Sequence, residues 1–199
     1  MKSKAFIISL FVVMVAVQWL VPLRMIRGSQ VTLSTGNEYK FKLAPVDPED
    51  PFRGKYLNLA FEANQVKVIP PPQWSPGDKG FAILEEDDKG FARISELVMD
   101  KPTADSNFIQ VRVQNVVGED PMTVYVQYPF DRYYINERMA RPIEEMIFEN
   151  QSDTTRLNYA LVRVNSGQAA LEKLYLDDIP LEEWYKRLPK GDVPEKIPQ

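Results

Sequence analysis

The sequence predicts a mainly β fold, an antiparallel barrel or sandwich with one short helix, carried on an N-terminal apolar helix. Downstream of Gly28 the apolar residues recur at every second position, in short runs separated by turn residues, which is typical of half-buried strands. The runs do not alternate with helical segments, so consecutive strands are expected to pair in antiparallel sheets. The pattern fits one irregular barrel as well as two small β-units joined near residues 70–74.

An apolar run opens the chain and predicts a membrane anchor. Ala5 to Leu23 is a run of 19 residues interrupted by only three that are not strongly apolar, and a helix of about 20 apolar residues crosses a bilayer. Residues 1–27 are therefore predicted to form an uncleaved anchor, with residues 5–23 in the lipid bilayer. The alternatives are a buried core helix and a cleaved signal peptide, although the run lacks the small-residue cleavage site of such peptides.

The charges that flank this run predict the orientation of the chain. Lys2 and Lys4 precede the run, and Arg24 and Arg27 follow it. The side-chain charges are balanced, so the free amino terminus decides the positive-inside count and favours a cytoplasmic N-terminus. Export of the C-terminal part is the expected result.

Residues 28–188 are predicted to form the β-rich domain, and residues 189–199 a disordered tail. The clearest hairpin joins residues 108–117 and 122–128 through a connection that contains Gly118 and Pro121. The short helix is expected at residues 141–150, where Pro142 suits the first turn, and residues 181–188 could form a second one. The other predicted strands are 31–33, 39–43, 57–61, 66–69, 79–84, 89–94, 159–164 and 169–176.

Composition excludes several classes of chemistry. The chain has no histidine and no cysteine, which removes Ser-His-Asp and Cys-His catalysis and most zinc sites. Its formal net charge of -4 gives no electrostatic argument for nucleic-acid binding. We expect no cofactor and no metal.

One octapeptide carries a family resemblance. Residues 54–61 read Gly-Lys-Tyr-Leu-Asn-Leu-Ala-Phe, and this segment resembles the Gly-Asp-Tyr-x-x-Leu-x-Tyr motif after which the GDYXXLXY family is named. Gly54, Tyr56 and Leu59 match the motif, whereas Lys55 stands in place of its Asp and Phe61 in place of its final Tyr. Because side chains alternate along a strand, Leu57, Leu59 and Phe61 are expected to share the face toward the core and Tyr56 to lie on the opposite side.

Two further segments strengthen the resemblance. The lead-in at residues 44–53 and the later block at residues 128–137, followed by Ile143-Glu144, are similar to segments of that family in the same order. The resemblance implies a bacterial inner-membrane protein with a single span, a periplasmic domain and no established biochemical activity.

The loop before the motif strand holds the first candidate site. Asp47, Asp50 and Arg53 lie on a proline-rich segment, where two carboxylates and a guanidinium could bind a cation or act as general acid and base. The structural alternative is that the aspartates accept backbone N–H groups in turns while Arg53 holds the loop. In that case Gly54 supplies a backbone conformation that a residue with a Cβ would resist.

Tyr128, Tyr133, Glu137 and Glu144 form the second candidate site. The tyrosines could line a binding groove, or they could pack with their hydroxyls hydrogen-bonded. The two glutamates could form a carboxylate pair, or they could cap a helix and form salt bridges.

The sequence therefore predicts a membrane-anchored envelope protein whose β-domain binds another membrane or envelope protein. The alternative is a carboxylate-dependent hydrolase that acts on a cell-wall or glycan substrate.

Overall fold

The fold was analysed in a computed structural model, which describes residues 2–44, 56–102, 107–135 and 157–187. These residues form a long N-terminal helix followed by antiparallel sheets, as predicted. The helices are α1 (Lys2–Thr35) and α2 (Leu181–Arg187). The strands are β1 (Asn37–Lys42), β2 (Tyr56–Asn58), β3 (Gln65–Val68), β4 (Lys79–Glu86), β5 (Ala92–Val98), β6 (Phe108–Val117), β7 (Met122–Gln127), β8 (Arg132–Tyr134), β9 (Tyr159–Asn165), β10 (Gln168–Leu176) and β11 (Ile179–Pro180).

Two larger sheets build the domain. One has the strand order β1-β9-β10-β11, the other has the order β3-β7-β6-β4-β5, and β2 pairs with β8. Isolated bridges between Lys40 and Phe91, and between Ile109 and Gly167, join the two larger sheets. Buried residues from all three sheets belong to one hydrophobic cluster. The described strands therefore form one nearly closed, barrel-like unit around a single core.

Three pairs of consecutive predicted strands form hairpins, with one change of boundary. The strands pair as β4 with β5, β6 with β7 and β9 with β10. Glu85 and Glu86 extend β4, so the first hairpin turns at residues 87–90 and β5 begins later than expected. Asp87 fixes this turn because its Oδ1 accepts the backbone N–H groups of Lys89 at 2.9 Å and Phe91 at 2.8 Å. The predicted helix at 141–150 and the tail from 189 lie outside the described residues, whereas α2 is confirmed.

Helix α1 extends well beyond the predicted anchor. Its 34 residues correspond to a length of about 51 Å at about 1.5 Å per residue, whereas the hydrocarbon core of a bilayer is about 30 Å thick. The strand predicted at residues 31–33 is wrong, because these residues lie in the last turns of α1. The β-branched pair Val31-Thr32 favours a strand locally, but the contacts of Thr32 with the domain favour the helix.

The last turns of α1 pack on β9 and β10. Thr32 is the one buried polar side chain among the described residues. Its Oγ1 donates to the Gly28 carbonyl oxygen at 3.0 Å and lies 3.3 Å from Gln168 Oε1. Asn165 Nδ2 donates to Thr35 Oγ1 at 2.8 Å. These bonds attach the helix to the turn between β9 and β10.

Arg163 holds the junction from the sheet side. Its Nε lies 2.7 Å from Glu172 on β10, its Nη2 lies 2.8 Å from Glu38 on β1, and its Nη1 donates to the Gly36 carbonyl oxygen at 3.4 Å. One guanidinium thus joins three strands to the residue that follows α1. Arginine suits this position because its planar fork binds several acceptors at once.

Substitution of Gly36 tests the close packing at this junction. A Cβ at Gly36 would lie 2.5 Å from the Thr32 carbonyl oxygen and 3.0 Å from the backbone nitrogen of Val164. We expect Gly36→Ala to lower the free energy of unfolding by about 1–3 kcal/mol, since the backbone must shift. The control is Gly28→Ala, where the nearest atom to the new Cβ is Gln168 Oε1 at 3.5 Å. Equal thermal midpoints for the two variants would contradict the packing described.

Candidate functional site

A groove lies between the second half of α1 and the β-domain. Its volume is about 790 Å³, within the range of about 300–1,000 Å³ that is usual for ligand sites. One wall is α1, from Leu20 to Thr32. The other wall is formed by the start of β4, the middle of β6, the segment that follows β7, and the turn into β10. The groove therefore begins beside the apolar run and ends on the domain.

Basic side chains dominate the charge of the groove. Four cations and one carboxylate line it, although the whole chain has a net charge of -4. The charged lining residues are Arg24, Lys79, Arg112, Arg132 and Asp131. Gln127 Nε2 donates to Asp131 Oδ2 at 2.7 Å, and Arg132 Nε lies 4.0 Å from Asp131 Oδ1. The single carboxylate is thus already bonded to its own neighbours.

On one side of the groove, three polar side chains form a row across three neighbouring strands. Lys79 on β4 is the direct partner of Arg112 on β6, which is in turn the partner of Gln127 on β7. Residues in register share one face of an antiparallel sheet, so these side chains stand side by side. Like charges placed directly opposite each other are destabilising. The fold therefore keeps two neighbouring cations at a cost in stability.

The motif strand supports the edge of this groove. The backbone N–H of Leu59 donates to the Asp131 carbonyl oxygen at 2.7 Å. Leu57, Leu59 and Phe61 are all buried, which confirms the predicted core face. Phe61 forms an isolated bridge with Leu43. The second half of the motif therefore fixes the segment after β7 in place.

Tyr128 belongs to an aromatic cluster in the core. The rings of Phe41, Phe61, Tyr128 and Phe130 lie with their centroids 5.0–5.8 Å apart, mostly edge to face, as aromatic pairs prefer. The Tyr128 hydroxyl donates to the Ala63 carbonyl oxygen. Burial raises the pKa of Tyr128 well above its ordinary value. The residue is a packing element, and its backbone segment borders the groove.

Tyr133 connects the motif region to α2. Its hydroxyl donates to Glu182 Oε1 at 2.8 Å, and its backbone pairs with Leu57. Partial burial raises the pKa of Tyr133, and the hydrogen bond to Glu182 raises it further. The hydroxyl is therefore neutral and acts as a donor at physiological pH.

Of the remaining predicted site residues, the structure describes only the backbone of Tyr56. Tyr56 pairs with Tyr134 through its backbone, and its side chain lies outside what the structure describes. The other predicted residues, Asp47, Asp50, Arg53, Gly54, Glu137 and Glu144, lie outside the described ranges. Their binding or catalytic roles remain predictions. In the described ranges, no three or more acidic side chains form a group able to hold a metal ion.

The groove itself was missed by sequence reasoning. Its cations are far apart in the chain, and only the pairing of β4, β6 and β7 places Lys79 beside Arg112. The sequence of α1 gives a partial indication of the groove wall, because no proline interrupts the helix between Pro22 and Gly36. The small residues Gly28, Ser29 and Thr32 recur there at helical spacing, which indicates a face that packs closely.

The fold and the groove together define a β-rich domain carried on a long apolar helix. The chain belongs to the GDYXXLXY family. The family model, described as GDYXXLXY protein, matches residues 18–174, which is more than half of the 199 residues. The match spans the groove-lining half of α1 and nearly all of the domain. No curated protein and no solved structure matches the chain at a significant level.

Removal of one hydroxyl tests the role of Tyr128. Tyr128→Phe keeps the ring cluster but leaves the partly buried Ala63 carbonyl oxygen without this donor, which should lower the free energy of unfolding by about 0.5–1.5 kcal/mol. The control is Tyr125→Phe on the neighbouring half-buried position of β7, where we expect little change. Chemical denaturation of both variants in detergent measures the difference, and equal stabilities would refute the structural role.

Proposed function

We propose that this chain is a single-pass membrane protein whose β-domain is held on the exported side of a bacterial inner membrane. Its role there is to bind another membrane or envelope protein. The observation that carries the proposal is the continuity of α1. One helix contains both the apolar run and the turns that pack on β9 and β10, so no linker separates the anchor from the domain.

The exposure of the apolar run supports anchoring. Within the described residues, one helix is long and apolar enough to cross a bilayer, with a mean hydropathy of 2.4 in its most apolar window. None of that window is buried against the protein. Large side chains such as Phe6, Phe11 and Trp19 are 60–70% exposed. An apolar surface of this extent requires a cover, and a lipid bilayer provides one on every side of the helix.

A binding role agrees with the groove and with the composition. The described residues present a groove of basic and apolar side chains supported by a packed core, and the chain has neither the histidine nor the cysteine that many catalytic sites use at neutral pH. The hydrolase alternative depends on Asp47, Asp50 and Glu137, which lie outside the described ranges. No observation on the described residues favours it.

A pair of valine substitutions tests the anchor. Val13 and Val31 both lie exposed on α1, at 58% and 54%, but only Val13 falls in the predicted span. Val13→Arg places a charge near the centre of the bilayer at a cost of about 2.5–3.5 kcal/mol, so we expect less protein in the carbonate-resistant membrane fraction. Val31→Arg should fractionate as the unmodified chain does. A soluble mature form that begins after Trp19 would refute the anchor.

Orientation and partner need two further measurements. External protease should digest the β-domain in spheroplasts if the domain is exported, and protection would contradict that orientation.

Crosslinking in cells, followed by affinity purification of the full chain from detergent-solubilised membranes, should recover a discrete protein adduct. The Val13→Arg chain is the matched control, because a partner at the membrane surface should be lost with anchoring. Identical adducts from both chains would contradict a membrane-surface partner.

A further inference from the structure

We propose that the groove between α1 and the β-domain binds the headgroup of an anionic phospholipid from the leaflet that the domain faces. The inference rests on the membrane anchoring proposed above. It adds a ligand class and a binding site to that function.

The position of the groove along α1 supports a lipid. Its lining begins with Leu20 and Val21 in the predicted span and continues through Arg24 and Met25 to Thr32. If residues 5–23 lie in the bilayer, the boundary between hydrocarbon and headgroups falls at Arg24. The groove therefore opens at headgroup depth, with the apolar Leu20, Val21 and Met25 on the wall that α1 forms and the basic Lys79 and Arg112 on the wall that the domain forms. A phospholipid has the same order of apolar and charged parts.

The charge of the groove supports an anionic headgroup. In the described part of the chain, none of the side chains of Arg24, Lys79 and Arg112 lies within ion-pair distance of a carboxylate. These three cations therefore favour a negatively charged ligand. Within the described ranges, the bond that Arg112 makes with its side chain is a long one, 3.4 Å, to the Gly77 carbonyl oxygen. Basic residues near a membrane surface attract anionic lipid by about 1 kcal/mol each.

The register of strands β4 and β6 places two of these cations, Lys79 and Arg112, directly opposite each other. Two cations directly opposite on paired strands repel each other, so the pair weakens the sheet in the absence of a ligand. A phosphate between the two side chains would remove that repulsion. Free inorganic phosphate would satisfy the same charges, but it would make no use of Leu20, Val21 and Met25. We therefore assign the site to the lipid.

Native mass spectrometry of the full chain tests the assignment. The protein is released from nanodiscs that contain equal amounts of phosphatidylglycerol and phosphatidylcholine, and the bound lipids are counted. The groove variant is Lys79→Gln with Arg112→Gln. The control, Lys67→Gln with Lys101→Gln, removes the same charge at two exposed positions outside the groove. Thermal midpoints are measured in parallel, and the groove variant should match or exceed the unmodified chain because the repulsion is gone.

We expect phosphatidylglycerol to bind in preference to phosphatidylcholine, with an affinity about 30-fold weaker in the groove variant and unchanged in the control. Equal binding of the two lipids, or an equal loss in both variants, would overturn the proposal. Displacement of phosphatidylglycerol by inorganic phosphate at the same concentration would overturn the lipid assignment. A chain that resists carbonate extraction but shows no lipid preference would refute this inference and leave the anchoring intact.

Discussion

The packing of α1 against the β9–β10 hairpin is the constraint on which the rest of the structure depends. Thr32, Gly36 and Arg163 bring the helix end, the central strand β9 and its neighbours β1 and β10 into one connected unit. Without this junction the helix would be a tether. With it, the helix forms one wall of the groove and is fixed to the domain.

The sequence predicted what local patterns determine. Period-two alternation and turn residues located the three hairpins, because neighbouring strands in a hairpin are specified by residues close together in the chain. The buried face of Leu57, Leu59 and Phe61 followed from the same rule. The apolar length of α1 was equally clear, since it depends on composition alone.

The features that were missed depend on contacts between distant residues. The helical state of Thr32 is favoured by its contact with Gln168, which lies 136 positions away, so tertiary structure outweighed local strand propensity. The cationic row of Lys79 and Arg112 likewise arises from strand pairing. Burial in the core explains why the motif has apolar residues at Leu59 and Phe61. The start of the motif, around Gly54, lies outside the described residues.

The central claim is that anchor and domain form one unit, and a distance measurement across the junction tests it most directly. The chain has no cysteine, so spin labels can be attached at Arg27→Cys on α1 and Glu119→Cys on the loop between β6 and β7 without other changes. Pulsed electron–electron double resonance on the full chain in nanodiscs should give one narrow distance distribution. A broad distribution, such as a flexible linker gives, would contradict the docking of α1 and with it the groove.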